Sequence, residues 1–117
     1  MKKTIALMTM LLSLSAMAAD YSCSGTEPFW DLKIEGNTVT FNEFMADETT
    51  TKEEIMSRVD AQGLAPDFAF VVETKNAKAT IVTGECNDGM SDNIYEKHIM
   101  YTTGSTVLYG CCNEITK

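Results

Sequence analysis

The stretch Trp30-Asp31-Leu32-Lys33-Ile34-Glu35-Gly36-Asn37-Thr38-Val39-Thr40-Phe41 decides the fold. From Trp30 to Ile34 apolar and polar side chains alternate, the period of a half-buried strand. Glu35-Gly36-Asn37 supplies turn chemistry, since Gly and Asn both tolerate a positive φ. Thr38 to Phe44 then alternates again, with Val39 and Phe41 on one face, so the two runs form a β-hairpin. Just before it stand two adjacent aromatics, Phe29 and Trp30. Adjacent strand residues point to opposite faces, so both cannot enter the same core. The one left at the surface or at a barrel mouth is placed to anchor a partner.

Residues 46–66 break this pattern. Asp47 to Thr51 is polar, and Thr51 with Glu54 has the spacing of a helix-capping box. Ile55, Met56 and Val59 follow at one-turn spacing, and Gly63 and Pro66 close the segment. The spacing predicts a short helix from Lys52 to Ala61, with a long irregular excursion as the alternative. Strand patterning returns at Phe68–Thr74 and Ala79–Thr83, joined by the polar turn Lys75–Lys78. After the loop-like stretch Asn87–Asn93, residues Glu96–Thr102 and Ser105–Cys111 make a last hairpin about Thr103-Gly104. Six strands with short turns predict an all-β domain, a small antiparallel barrel or sandwich. The helix or long loop is inserted after its first hairpin.

Ahead of the strands, Met1 to Ala18 read as a cleavable secretory signal. Lys2 and Lys3 precede an apolar run from Ile5 to Leu14, and Ala16-Met17-Ala18 offers small residues at the cleavage positions. No cysteine follows the run at the cleavage point, so neither a lipid anchor nor a transmembrane segment is expected in the mature chain. Residues 19–117 then form a single β-rich domain, periplasmic or secreted. Without Lys2 and Lys3 the chain keeps 7 of its 9 basic residues against 17 acidic ones, a net charge of −10. Such a charge repels nucleic acid and anionic lipid and suits a soluble protein or a cationic partner. Cys23, Cys86, Cys111 and Cys112 are an even set in a small exported domain, hence two disulfides. Cys111 and Cys112 are neighbours and are not bonded to each other. That leaves Cys23–Cys112 with Cys86–Cys111, or Cys23–Cys111 with Cys86–Cys112. Neighbours on a strand point oppositely, so one bridge faces the core and the other the surface.

No catalytic or metal constellation assembles from the sequence. The lone His98 lies in a predicted strand as a solvent-facing residue, without the setting a Ser91–His98 hydrolase pair needs. Asn87, Asp88, Asp92 and Asn93 lack EF-hand spacing, and no CxxC pair suggests zinc. No cofactor, no metal and no enzymatic activity are expected. Two clusters stand out instead: Gly25-Thr26-Glu27-Pro28-Phe29-Trp30, and Cys86 through Tyr95 with Gly110-Cys111. A disulfide from Cys86 to the last strand would present the Asp-Gly-Met-Ser-Asp loop rigidly.

The pattern G-T-E-P-F-W, then C-N-D-G-M-S-D-N-I-Y, then Y-G-C-C resembles a family of small uncharacterised bacterial envelope proteins, some of them lipoproteins. Their landmarks are a G-N-E-P-F-W opening, a C-x-D-x-M-S middle and a G-C ending. The resemblance touches Gly25, Glu27, Pro28, Phe29, Trp30, Cys86, Asp88, Met90, Ser91, Tyr95, Gly110 and Cys111. It implies Cys86–Cys111 as the shared bridge, with Cys23–Cys112 as an addition in this chain. Thr26 replaces the usual Asn, the 46–66 segment is extended, and the lipobox is lacking. A second similarity is to bacterial inhibitors of C-type lysozyme, small exported β-barrels with a Tyr-x-Cys start and a Ser-x-x-x-Tyr motif. Tyr21-Ser22-Cys23 and Ser91–Tyr95 match these, although Asp92 stands where the inhibitors carry Gly. The expected function is a non-enzymatic exported binding module for an unknown envelope ligand or protein. Its candidate surface is Glu27, Phe29, Trp30, Asp88, Met90, Ser91 and Tyr95. The alternative is a lysozyme inhibitor, whose cationic target would be drawn by this chain's acidity.

Overall fold

Buried and exposed side chains alternate along several strands in a computed structural model that describes residues 19–26, 28–44, 49–89 and 92–115. The expected leader, residues 1–18, lies outside the described residues. The described residues form nine strands: β1 Asp20–Thr26, β2 Phe29–Glu35, β3 Thr38–Glu43, β4 Thr49–Glu54, β5 Ser57–Asp60, β6 Ala69–Glu73, β7 Ala77–Asn87, β8 Ile94–Thr103 and β9 Thr106–Ile115. They form one antiparallel sheet in the order β4-β3-β2-β1-β9-β8-β7-β6-β5. The two strands at the ends of that order, β4 and β5, are consecutive in the chain. Only Ile55 and Met56 separate them. Ile55 N–H donates to the Asn37 carbonyl at 2.8 Å, and Met56 N–H to the Glu73 carbonyl at 2.7 Å. A single run thus leaves the β3 edge and joins the β6 edge, curling the sheet into a half-barrel whose two end strands, β4 and β5, are joined through the chain rather than paired with each other.

The all-β expectation holds, but the strand count and the insertion are corrected. The first hairpin is β2–β3, with Ile34 opposite Val39 and Leu32 opposite Phe41. The helix expected over Lys52–Ala61 is instead the end of β4 and all of β5, and no irregular excursion takes its place. Its capping signal is overridden by pairing. Thr51 lies opposite Phe41 and Glu53 opposite Val39, while Val59 lies opposite Val71. A three-residue apolar stripe cannot outweigh two ladders of backbone hydrogen bonds plus the β-branched Thr49–Thr51 run. β1 was also absent from the six expected strands, because Asp20–Thr26 is small and polar apart from Tyr21 and Cys23.

Inward positions of all the long strands meet in one core, including Tyr21, Leu32, Ile34, Val39, Phe70, Val72, Ile81 and Ile99. Trp30 is its largest member and is 2 % exposed, whereas Phe29 beside it is 49 % exposed. The indole has room because two strands present glycine beneath it. Gly25 is its cross-strand partner, and a Cβ there would stand 2.1 Å from Trp30 Nε1. A Cβ on Gly110 would stand 2.2 Å from the Ser24 carbonyl oxygen and 2.9 Å from Trp30 Cζ2. Gly-Thr-Glu-Pro-Phe-Trp and Tyr-Gly-Cys-Cys are therefore two parts of one packing device, an aromatic covering bare backbone. Gly110→Ala is expected to cost about 1–3 kcal/mol or more, since the colliding atom is backbone and cannot swing aside. A drop in the urea midpoint with an unchanged slope would register it.

The disulfides are Cys23–Cys112 and Cys86–Cys111. Cys23 and Cys112 are directly opposed in the β1–β9 ladder, and both belong to the core. Cys111 points to the other face of β9, alongside Tyr109. That bridge lies off the core, as the alternation of neighbours requires, yet both its cysteines are buried. Its cover comes from β7 itself. Between Thr83 and Cys86 the β7–β8 register gains one residue, a β-bulge that bends the strand end.

At the end of the core near Tyr21, a buried lysine is held by two hydrogen bonds: Lys97 Nζ donates to the Asp67 carbonyl at 2.8 Å and to Thr83 Oγ1 at 2.6 Å. Arg58 lies 3.9 Å over the Phe70 ring and pairs with Asp60 at 3.0 Å and with Asp67. Burial, and then the negative charge of Asp67, push the Tyr21 phenol up to about 12. Burial, and then Glu53, push the Tyr101 phenol up to about 12 as well. Both folded values lie above the ordinary 10, so the stability these phenols contribute is complete below pH 10 and is lost as pH rises toward 12. Tyrosinate absorbance should accordingly show two of the four tyrosines lagging behind ordinary phenols. Titration of all four together near pH 10, with the fold intact by circular dichroism, would contradict this.

Candidate functional site

The bend in β7 brings together the two clusters that stood out in the sequence. Beyond the bulge the β7–β8 arm lies beside β1 and β9, where Thr26 Oγ1 donates to the Asp88 carbonyl at 3.3 Å. Tyr95 donates its hydroxyl proton to Asp88 Oδ2 at 3.3 Å, and Gly89 N–H donates to Asn87 Oδ1 at 2.6 Å. The Cys86–Cys111 bridge pins the base of the arm, and the Tyr109 hydroxyl sits 3.8 Å from Cys86 Sγ. A small crevice of about 50 Å³ remains where Ser24, Gly25 and Thr26 face Asn87, Asp88 and Tyr109.

On the other side of Thr26 a groove of about 330 Å³ runs between Thr26, Pro28 and Trp30 and the β9 residues Val107, Leu108 and Tyr109. Phe29 stands at this end of the sheet beside Phe44, whose N–H donates to the Phe29 carbonyl at 3.2 Å. Both rings are exposed, as are Val107 and Tyr109. The result is an apolar rim adjoining a disulfide-held polar arm.

Of the seven candidate binding residues, Phe29, Asp88 and Tyr95 fall on this surface. Glu27, Met90 and Ser91 lie outside the described residues. Trp30 touches the groove but is a core residue, so it shapes the surface without being free to grip a partner. Phe44, Val107 and Tyr109 went unnoticed in the sequence. Tyr109 carried a usable signal, since a strand residue flanked by the inward Leu108 and Gly110 must face outward. His98, expected at the solvent surface, is only half-buried; its Nδ1 meets the Tyr109 hydroxyl and its ring lies 3.4 Å from where a Cβ on Gly84 would stand. No group of three or more His, Cys, Asp or Glu side chains converges among the described residues.

Fold and surface together define a disulfide-stapled, curled β-sheet protein with a disulfide-pinned arm beside an aromatic rim. No helix among the described residues is long and apolar enough to cross a membrane. No family model, curated protein or solved structure matches the chain.

Proposed function

We propose that this chain is an exported, non-enzymatic binding protein of the cell envelope that recognises a cationic partner. The rim and arm, Thr26, Pro28, Phe29, Asp88 and Tyr95, form its contact surface. The observation that carries the reading is the Thr26–Asp88 hydrogen bond, which with the Cys86–Cys111 bridge fuses two sequence-distant clusters into one rigid surface. Rigid presentation lowers the ordering cost of binding. Two disulfides suit an oxidising compartment, and the excess of 17 acidic over 9 basic residues favours encounter with a cation-rich surface. A binding role is favoured over hydrolysis by the setting of His98, whose ring is met by a phenol rather than by an orienting carboxylate.

The test is capture from an envelope extract on the oxidised protein at about 0.15 M salt, where unspecific charge attraction is screened. A basic partner retained by the wild type and lost from Phe29→Ala and from Tyr95→Phe is the expected outcome. Equal retention by both variants would remove the rim and arm from the contact. A parallel titration into C-type lysozyme lysis separates the inhibitor alternative. Stoichiometric inhibition relieved by Tyr95→Phe would make lysozyme the partner, and no inhibition at large excess would discard that target.

A further inference from the structure

A cavity of about 370 Å³ lies away from the arm, on the β3–β4 side of Leu108. Its size is at the lower end of the roughly 300–1,000 Å³ usual for small-molecule sites. Phe41, Tyr101 and Leu108 form its apolar side, and Glu43, Thr51 and Glu53 line it from β3 and β4. The apolar side is fixed: Phe41 and Tyr101 stack with centroids 4.7 Å apart, and Trp30 lies 5.9 Å from Phe41 and 6.3 Å from Tyr101. The cavity exists because β4 leaves the ladder. Past Glu54 the chain pairs with β6, while the stretch before it pairs only with β3 and stands apart from the β6–β7 turn.

Glu53 bridges that gap. It accepts hydrogen bonds from Thr74 Oγ1 and Asn76 Nδ2, and from Asn76 N–H at 3.3 Å. The Thr74 and Asn76 bonds hold its carboxyl below the usual carboxylate range, so it is charged at neutral pH. Tyr101, its phenol held neutral by burial and by that same charge, remains a hydrogen-bond donor. Among the described residues the only charged side chains lining the cavity are the carboxylates Glu43 and Glu53; the cation acting on Glu53 is Lys75, which contributes less than the Thr74 and Asn76 hydrogen bonds and does not line the cavity.

We propose that this cavity binds a small organic cation, an amine or quaternary ammonium with a short apolar body. Its charged head meets the Glu43 and Glu53 carboxylates, and its body lies against the Phe41–Tyr101 stack. A cleft lined by charge of one sign concentrates the opposite ion, and the aromatic stack gives the short apolar body a surface to bury. An anionic ligand is repelled by the same pair. This site goes beyond the rim-and-arm reading and shares none of its test residues, so either can fail alone.

Calorimetric titration of the oxidised protein with hexylammonium, and with 1-hexanol as its neutral counterpart, is the test. Saturable one-to-one binding of hexylammonium is expected, with hexanol about tenfold weaker or more. Glu43→Gln should weaken hexylammonium by about tenfold, as a lost charge-assisted contact does, at an unchanged melting temperature. Glu35→Gln, which removes the same charge at an exposed position outside the cavity, should leave the affinity as it was. Equal losses in the two variants would reduce the effect to the general acidic field. Equal binding of hexanol would remove the cation from the proposal, and absence of any heat would overturn the site.

Discussion

Reduction of both disulfides is expected to unfold the protein, the largest single effect available in this molecule. In the loop-entropy account, cross-linking residues 89 apart stabilises by about 4.5 kcal/mol and residues 25 apart by about 3.5 kcal/mol. Together these approach the whole stability of an ordinary small domain, about 5–15 kcal/mol. The two bridges do different work. Cys23–Cys112 ties the first strand to the last, so it closes the β1–β9 seam from which the sheet spreads both ways. Cys86–Cys111 holds only the bent arm against β9. Urea titrations of the oxidised protein and of paired Cys→Ala variants check this. Cys23→Ala/Cys112→Ala should lose more than Cys86→Ala/Cys111→Ala, and the latter should keep the sheet while loosening the arm. A reduced protein with an unmoved midpoint would refute the assignment of stability to the bridges.

Trp30→Ala should cost about 3–5 kcal/mol, in the range of a large buried aromatic cut back to a methyl. For a domain of this size that lowers the melting temperature by upwards of about 12 °C. The loss is a packing loss, because the indole is 2 % exposed and rests on Gly25 and Gly110. Phe29→Ala, beside it but 49 % exposed, should stay within about 0.5 kcal/mol. The glycines sharpen the test. The three nearest atoms to a Cβ on Gly25 all belong to the Trp30 ring, so Gly25→Ala should become far less costly once the indole is gone. On Gly110 the nearest atom is the Ser24 carbonyl oxygen, so its penalty should persist without Trp30. A double-mutant cycle reads this difference directly. If Trp30→Ala melts with the wild type, the indole is not the piece that fills this part of the core.

The strands with clean alternation were legible because their polar and apolar sides are distinct. β2, β3 and the two later hairpins needed no tertiary information beyond a core on one side. β4 and β5 were not, because Lys52–Ala61 carries few apolar residues and its Ile55, Met56 and Val59 fit a helical stripe equally well. Its conformation comes from the partners that β3 and β6 offer. The aromatic pair was readable to the extent that Phe29 and Trp30 had to part. Which one entered the core was settled by Gly25 and Gly110, residues 85 positions apart in the sequence. The rim-and-arm surface was half-legible for the same reason: its residues were visible as clusters, but not their meeting at Thr26 and Asp88.

By itself the sequence determined the all-β class, the even cysteine set, the first hairpin and the acidic charge, each a property of local periodicity or composition. Tertiary structure alone decided the run of β4 into β5, the bend of the β7–β8 arm over β9 and the cavity lined by Glu43 and Glu53. These depend on which strand edges meet. Edges present the same backbone N–H and C=O groups whatever the side chains are, so their choice rests on how the whole sheet curls.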